Sequence, residues 1–367
     1  MSNRVYNFSA GPATLPLSVL EKTQKDLVCL PGVGASILEI SHRSKAFTEI
    51  IQTADANLRE LLDIPGNYKI LFLHGGASLQ FSMVPMNLLR EKSAPADYIL
   101  TGTWGDKAIK EARKEGQTRI AWDGADENYK RIPKANELEL DPEATYVHIT
   151  TNETIQGVQW QSEPDTGKVP LVCDASSDFL SRPIDVRKYG LIYACAQKNA
   201  GPAGVTVVIL REDLLEQIPA GLPSMLDYSV HVKNDSVYNT APVFPIYVLK
   251  LVTDWLKDEV GGISKIALIN EKKSQMLYEV IDQSDGFYIG HAEPECRSKV
   301  NVTWRFSDND LQAQFLEGAL AEGLTDLKGH RSVGGIRASI YNAMPAEGVE
   351  KLRDFMIAFA KRSVEKV

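Results

Sequence analysis

The hydrophobic pattern changes its period repeatedly along the chain. Between residue 17 and about residue 256, short apolar runs typical of buried strands alternate with segments whose apolar residues recur every three or four positions. The strongest helical pattern covers 44–62, with Ser44 as candidate N-cap. Further helices are predicted at 78–90 and 105–115, and strands at 69–73, 97–101, 145–150, 170–174, 189–194 and 205–210. This alternation predicts an α/β fold with a large domain in which a mostly parallel sheet carries helices on both faces.

A different pattern begins near Gly261 and Gly262. A long helix is predicted at 263–283, followed by strands at 298–306 and 333–341 and helices at 308–322 and 346–362. At the other end of the chain, Gly11 and two prolines predict an extended segment. We therefore expect an N-terminal arm at 1–16, a large α/β domain at 17–260 and a smaller C-terminal α+β domain at 261–367.

Composition narrows the range of partners. The chain has 367 residues, of which 44% are hydrophobic and 24% charged, as is ordinary for a globular enzyme. Its net charge of -8 argues against nucleic acid or an anionic membrane as partner, so an anion site would have to be a local cluster of cations. The N-terminus has no apolar core of signal-peptide length and no run is long enough to span a bilayer, so we expect a cytoplasmic protein.

The cysteines do not form a framework. Cys29, Cys173, Cys195 and Cys296 lie far apart and include no CxxC pair, so neither disulfides nor a metal site are expected. Cys173 and Cys195 fall in strand-like apolar runs, where cysteine behaves as a small hydrophobe. Cys296, in EPECRSK, is expected at the surface.

Lys198 stands where a soluble protein seldom has an ammonium group. It follows one apolar strand pattern and precedes the turn GPAG at 201–204 and a second strand. A solvated hairpin lysine is the ordinary explanation. Asp174 ends the strand PLVCD, and a carboxylate at the carboxyl end of a parallel strand lies where open α/β sheets bind ligands. Asp174 is equally compatible with a turn or helix cap.

Taken together, the lysine and the aspartate suggest pyridoxal phosphate. That cofactor needs an amine for a Schiff base and an acid opposite its pyridine nitrogen. The sequence LFLHGGASLQF places two glycines and Ser78 at a helix start, where backbone N–H groups suit a phosphate, although such turns are common. The turn lacks the GKS or GKT of a nucleotide-binding P-loop. Trp104 in TGTWGD follows the next strand and would either stack on a flat ring or belong to the core.

Motifs from the arm to the last domain resemble the phosphoserine aminotransferases, class V members of the fold-type I pyridoxal-phosphate enzymes. NETIxG, AQKNxGPAG and HRSVGGIRAS are specific among these enzymes. The matching segments follow the expected order and are NFSAGPATLP (7–16), LEISHRS (38–44), HGGASLQF (74–81), TGTWGDKA (101–108), TNETIQG (151–157), CDASSDFLSRP (173–183), YACAQKNAGPAG (193–204), YNTAPVFP (238–245) and GHRSVGGIRASIYNAM (329–344).

The resemblance implies a cofactor site. Lys198 would form the Schiff base, Asp174 would meet the pyridine nitrogen, and Trp104 would stack on the ring. The other implied cofactor contacts are Thr154 to the phenolic oxygen, and Ala77, Ser78 and Gln197 to the phosphate. Asn239 and Thr240 would complete the phosphate site of the neighbouring subunit, which implies an obligate homodimer.

The resemblance also implies the substrates. The reaction would be reversible transamination between L-glutamate and 3-phosphonooxypyruvate, giving 2-oxoglutarate and O-phospho-L-serine in serine biosynthesis, with a further role in pyridoxine biosynthesis left open. Arg337 would bind the α-carboxylate. The residues implied for the distal phosphate, or for the side-chain carboxylate of glutamate, are His42, Arg43, His330 and Arg331, with Ser9 assisting. Taken singly, each of these cations is equally well explained as solvated surface.

Some positions depart from the family pattern, and rival functions follow. Relatives often have glycine at the position of Cys195 and a larger aliphatic residue at that of Ala200. Some have an arginine near Ser78 or Leu79, so the number of contacts to the substrate phosphate stays open.

The alternatives are another class V enzyme, such as a small-substrate aminotransferase or a cysteine desulfurase using Cys296, and a non-catalytic α/β binding protein. A dehydrogenase is disfavoured because GVGAS lacks the third glycine of the dinucleotide fingerprint.

Overall fold

The computed structural model describes residues 4–364. The largest sheet among these residues has seven strands. The strands are β1 Tyr6–Asn7, β2 Tyr68–Leu73, β3 Ala96–Leu100, β4 Thr118–Asp123, β5 Val147–Thr150, β6 Asn152–Glu153, β7 Val158–Gln159, β8 Leu171–Asp174, β9 Leu191–Cys195, β10 Thr206–Arg211, β11 Tyr288–Gly290, β12 Asn301–Phe306, β13 Leu324–Thr325 and β14 Ile336–Ser339. The α-helices are α1 Leu17–Asp26, α2 Lys45–Leu62, α3 Gly76–Leu88, α4 Thr103–Ala112, α5 Tyr228–Lys233, α6 Val243–Trp255, α7 Ile263–Asp282, α8 Asn309–Ala321 and α9 Ala346–Val364.

The large sheet is mostly parallel, as the sequence predicts. Its strand order is β2-β10-β9-β8-β5-β3-β4. The five strands β9, β8, β5, β3 and β4 run parallel to one another. Strand β10 is antiparallel to both β2 and β9. The short connection between β9 and β10 explains the exception, because parallel neighbours need a long crossover. The predicted α/β fold is therefore confirmed.

Both faces of this sheet are buried. On β2, Ile70 and Phe72 belong to the core that includes α1, α2 and α6, whereas Leu71 and Leu73 belong to the core that includes α3 and α4. Successive strand residues point to opposite faces, so a sheet covered on both sides needs continuous apolar runs. This is why the strand signals in the sequence are unbroken runs of apolar residues.

Two helix starts are important for the site. The predicted cap of α2 is present, since the Ser44 hydroxyl accepts the Phe47 N–H at 3.2 Å. The helices predicted at 78–90 and 105–115 begin two residues earlier than expected, at Gly76 and Thr103. Their first turns therefore lie directly at the edge of the sheet.

A second, antiparallel sheet with the order β11-β12-β14 packs with α7, α8 and α9. The N-terminal arm joins this part of the fold, because β1 pairs in parallel with β13 and Phe8 is fully buried in the same core. Gly261 and Gly262, both with positive φ, separate the π-helical turn Leu256–Val260 from α7. The domain boundaries predicted from the sequence stay predictions.

Lys273 is a fully buried lysine on α7. Its Nζ donates hydrogen bonds to the backbone carbonyls of Ile340 at 3.0 Å, Tyr341 at 2.7 Å and Met344 at 3.1 Å. Burial lowers the pKa of Lys273 to about 7. Since these carbonyls directly follow β14, the lysine holds the segment that leaves this strand.

We expect Lys273→Met to lower the free energy of unfolding by about 3 kcal/mol or more, because it leaves buried carbonyls without a donor at roughly 1–3 kcal/mol each. Urea unfolding followed by circular dichroism measures the effect. The control is Lys272→Met on the exposed side of the same helix, which should change stability by less than about 0.5 kcal/mol. Equal stability of the two variants would contradict this role.

Candidate active site

Parallel pairing brings three chain segments to one edge of the large sheet. Thr150 at the end of β5 lies opposite Asp174 at the end of β8, and Asp174 lies opposite Tyr193 on β9. The segments that leave these ends are the β6–β7 hairpin, the loop after Asp174 and the turn that contains Lys198. This edge is where open α/β sheets place their ligands.

Lys198 lies in a helical turn three residues beyond β9. The turn is closed by hydrogen bonds from Ala200 N–H at 3.0 Å and Gly201 N–H at 2.8 Å to the carbonyl of Ala196. The Lys198 Nζ donates to the Thr154 hydroxyl at 2.7 Å and lies 5.3 Å from the ring centroid of Trp104. The structure therefore brings together three of the predicted site residues, and Lys198 is half-buried rather than freely solvated.

Asp174 is a buried acid at the same edge. Only 4% of it is exposed, and its Oδ1 accepts the Ser176 N–H at 2.9 Å. Burial raises the pKa of Asp174, and the positive charge of Lys198 opposes that rise. A buried carboxyl of this kind is stabilised as a carboxylate by a further cationic partner, which a protonated pyridine nitrogen would supply.

The start of α3 provides a place for an anion. Gly75 and Gly76 both have positive φ, which glycine adopts without strain, and a Cβ at Gly76 would meet no atom within 4 Å. The first hydrogen bond within the helix is donated by Leu79 to the Gly75 carbonyl. The N–H groups of Gly76, Ala77 and Ser78 therefore precede the helical hydrogen bonds and form the positive end of the helix dipole. Ala77 is half-buried and Ser78 exposed.

The N-terminal arm borders the Lys198 turn. The Ala13 N–H donates to the Gln197 carbonyl at 3.0 Å, and a Cβ at Gly11 would lie 3.2 Å from Lys198 Cγ. Gly11 has a φ of 145°, so it is glycine for its conformation as well as for space. Its N–H donates to the Ser9 hydroxyl at 3.3 Å, which places Ser9 beside this contact.

Arg337 lies in a cavity of about 240 Å³ between the small sheet and the segment after β6. Burial lowers the pKa of its guanidinium, and its Nε has no hydrogen-bond partner among residues 4–364. His330 lies nearby, since the charges of Arg337 and Lys107 contribute, after burial, to a lowered pKa of His330. Arg331 is exposed in the same loop. A half-buried guanidinium whose buried Nε has no partner is an arrangement suited to an anionic ligand.

Four predicted residues form no hydrogen bond with Lys198, Asp174 or Trp104 among residues 4–364. His42 and Arg43 line a separate cavity, where Arg43 Nε donates to His42 Nε2 at 3.3 Å. Lys198, Asp174 and Trp104 are not among the described residues that line this cavity, nor among those that line the cavity of Arg337. Asn239 is half-buried and Thr240 exposed in the segment before α6.

The structure also adds residues that sequence reasoning missed. Glu153 is fully buried and accepts the backbone N–H of Trp104, and Gln156, His291 and Arg305 line the cavity of Arg337. The signal for Glu153 was present in the NETIQG motif, from which only Thr154 was singled out. His291 and Arg305 gave no signal, because a single histidine after a short strand and a single arginine on a strand are common in sequences.

The chain is similar to known proteins over almost its full length. A family model for class-V aminotransferases matches residues 5–352. The chain belongs to this family. The phosphoserine aminotransferase of Rhodopirellula baltica is 54% identical over 361 residues, which cover 98% of this chain and 96% of that protein. The resemblance predicted from the motifs is confirmed.

Solved structures agree with this class-V assignment. Phosphoserine aminotransferase from Bacillus circulans subsp. alkalophilus matches with a TM-score of 0.96 and 49% identity, covering 99% of this chain and 100% of its own. A PLP-bound phosphoserine aminotransferase from Trichomonas vaginalis matches with a TM-score of 0.91 and 41% identity, covering 96% of this chain and 100% of its own. The matches extend over almost the full length of the chain.

The expectation that Cys296 lies at the surface is wrong. Cys296 is buried against Val158 and Ala292, and its sulfur accepts the Ile132 N–H at 3.5 Å. Burial raises the pKa of its thiol, which makes it a poor nucleophile and weakens the desulfurase alternative. Cys29 is the exposed cysteine, and all four cysteines are unpaired.

We therefore expect iodoacetamide to alkylate Cys29 first in the folded protein, because the thiolate must be both formed and accessible. Peptide mass mapping after graded exposure identifies the labelled cysteine, with urea-unfolded protein as the control in which all four react. Rapid labelling of Cys296 in the native state would contradict the buried site and restore the desulfurase alternative.

Proposed function

We propose that this chain catalyses the reversible, pyridoxal-5'-phosphate-dependent transfer of an amino group from L-glutamate to 3-phosphonooxypyruvate, which gives 2-oxoglutarate and O-phospho-L-serine. The observation that carries this proposal is the meeting of Lys198, Thr154 and Trp104 at the sheet edge where Asp174 is buried. The family membership and the identity to phosphoserine aminotransferases support it.

The residues at the edge fit the cofactor. Lys198 would bind it covalently, Asp174 would pair with its pyridine nitrogen and Trp104 would stack on its ring. The remaining contacts would come from Thr154, from Gln197, and from Ala77 and Ser78 at the free start of α3. When bound, pyridoxal phosphate supplies an electron sink for the bond being broken at the substrate α-carbon.

The side chains of the chain itself then have distinct tasks. The Lys198 amine would move the proton at the substrate α-carbon, since an amine held by the Thr154 hydroxyl near the ring of Trp104 can act as a general base. The Thr154 hydroxyl, 2.7 Å from the Lys198 Nζ, orients that amine. The Asp174 carboxylate would pair with the protonated pyridine nitrogen of the cofactor. Because Asp174 is buried, the attraction between these two charges would be strong. The arm packs against the Lys198 side chain at Gly11.

Cations at the substrate end select dianionic substrates. Arg337 would bind the α-carboxylate through its planar guanidinium, which suits two-point contact with a carboxylate. His330 and Arg331, in the glycine-bounded loop before β14, would receive the distal phosphate or the side-chain carboxylate of glutamate, with Ser9 assisting from the arm. One cationic pocket serves both half-reactions because both substrates end in an anion.

A homodimer would complete this site. His42 and Arg43 line a different cavity from Arg337, and the resemblance to the phosphoserine aminotransferases gives Asn239 and Thr240 to the phosphate of a neighbouring subunit, so we assign all four to the active site of a partner subunit. Asn239 and Thr240 would reach the partner's cofactor phosphate, and His42 and Arg43 the partner's substrate. Such reciprocal sharing requires the two-fold arrangement of a closed dimer.

The reaction places the enzyme in serine biosynthesis, and a phosphorylated four-carbon analogue would extend it to pyridoxine biosynthesis. We assign it to the cytoplasm, and its four unpaired cysteines support a reducing compartment. None of the described helices has the length and apolar character needed to cross a bilayer.

We expect wild-type enzyme to use O-phospho-L-serine far better than L-serine as amino donor. Two charge-assisted contacts to the phosphate, at about 1.5–3 kcal/mol each, correspond to roughly 10²–10⁴ in kcat/KM. Arg331→Ala should narrow this ratio by about 10–100-fold, mainly by harming phosphoserine. The measurement is kcat/KM for both donors with both proteins.

The matched control is Lys328→Ala, which removes an exposed cation close to the same loop and should leave the ratio unchanged. Equal use of serine and phosphoserine by the wild type would refute the substrate assignment, while the cofactor chemistry would stand.

A further inference from the structure

Glu153 is a fully buried carboxylate that binds the start of a helix. Its Oε2 accepts the backbone N–H of Trp104 at 3.1 Å, and its Oε1 accepts the N–H of Gly105 at 3.1 Å. It comes from β6, so it reaches α4 from a different part of the chain. The two hydrogen bonds fix the backbone of the residue that carries the indole facing Lys198.

Helix α4 needs this carboxylate because it has no cap of its own. Its N-cap is Gly102, which has no side chain to accept the free N–H groups of the first turn. Trp104 and Gly105 occupy the second and third helical positions, whose N–H groups an N-cap side chain usually satisfies. Glu153 takes over this task and adds a negative charge at the positive end of the helix dipole.

Gly102 supports the same conclusion independently. Its φ is 171° and therefore extended, so the backbone conformation does not require glycine. A Cβ at this position, however, would lie 2.4 Å from Glu153 Cδ and 2.6 Å from its Oε2. Glycine is needed here to make room for the Glu153 carboxylate.

The segment that carries Glu153 also forms a hydrogen bond with Lys198. Thr154, the next residue, accepts the Lys198 Nζ at 2.7 Å. Asn152, the preceding residue, donates to the Ser177 hydroxyl and to the Asn301 side chain, both at 2.8 Å. The segment 152–154 is thus anchored at Asn152 and contacts Trp104 and Lys198 through adjacent side chains.

We propose that Glu153 is a positioning residue for Trp104: its carboxylate, through the N–H groups of Trp104 and Gly105, sets the place of the indole relative to Lys198. This inference rests on the proposed function only where it concerns the cofactor, because the contact itself lies within the chain. In this inference Glu153 acts through the indole that it positions and not by contact with the substrate.

The protonation state of Glu153 offers an additional readout. Burial raises the pKa of Glu153 to about 7, with the charge of Asp174 adding to the rise and that of Lys198 opposing it. Tyr129 also faces it, since the charge of Glu153 contributes to a raised pKa of this phenol. In a protonated carboxyl one of the two oxygens is a weaker acceptor. The hydrogen bonds from the N–H groups of Trp104 and Gly105 to Glu153 should therefore weaken as the pH falls through about 7.

The first test is amide hydrogen exchange of the segment around residues 102–108 in the full-length holoenzyme. Glu153→Gln keeps the size of the side chain but turns an amide NH₂ toward one of the two N–H groups, so exchange should become at least about tenfold faster there. Asp106→Asn, which removes a first-turn acid of the same helix without touching Trp104, is the control and should leave Trp104 and Gly105 unchanged. Unchanged exchange in Glu153→Gln would overturn the proposal.

The second test is a double-variant cycle on cofactor affinity, in case one variant folds poorly. Gly102→Ala should weaken binding of pyridoxal phosphate by about tenfold in the wild type but add nothing in a Glu153→Ala background, where the added methyl group has room. Full additivity of the two changes would overturn the proposal.

A third readout is the pH profile of Trp104 fluorescence, obtained as the difference from Trp104→Phe. It should have a midpoint near 7 in the wild type that disappears in Glu153→Gln, and an identical profile in both would contradict the role of the carboxylate. The exchange result does not depend on substrate identity. If phosphoserine is not turned over but exchange behaves as expected, the proposed function fails while the inference about Glu153 stands.

Discussion

The parallel register of β5, β8 and β9 is the constraint on which the rest of the site depends. It places the ends of these strands side by side, with Thr150 opposite Asp174 and Asp174 opposite Tyr193. Each chain segment that leaves this edge then carries a different group: a hydroxyl and a carboxylate from the hairpin, a buried acid from β8 and an amine from the turn after β9. A slip of one residue would turn these side chains to the other face of the sheet.

A network of amides connects this edge to the small sheet. The Asn342 N–H donates to the Asn199 side chain at 2.9 Å, and Asn270 donates to the Asn342 side chain at 2.7 Å. Asn199 follows Lys198 directly, Asn342 follows the strand of Arg337, and Asn270 precedes Lys273 by one helical turn. The cofactor end and the substrate end of the site therefore share one buried scaffold, in which each polar group is costly to leave without a partner.

The elements predicted from the sequence are those with a regular spacing of apolar residues or with a charged residue at the end of an apolar run. Helix α2 and the strands before Asp174 and Lys198 follow from apolar spacing, and the chemistry follows from charged residues at strand ends. Helix α6 gave no periodic signal because it is apolar on nearly every side, and β4 was missed because only one of its residues is fully buried. Glu153 could not be predicted from spacing, since its partners at Trp104 and Gly105 are distant in sequence. The surface position predicted for Cys296 was wrong because its neighbours in the sequence are polar, whereas its own thiol packs against Val158 and Ala292.

The central claim is that Lys198 is the amine that holds the cofactor, and borohydride reduction of the holoenzyme followed by peptide mapping tests it most directly. Reduction makes the bond between the cofactor and its lysine permanent, so the labelled peptide identifies the residue. We predict that the label is on Lys198. Lys107 is the structural rival, because its Nζ lies 4.3 Å from the ring centroid of Trp104, closer than that of Lys198 at 5.3 Å. A label on Lys107, or on any other lysine, would contradict the account.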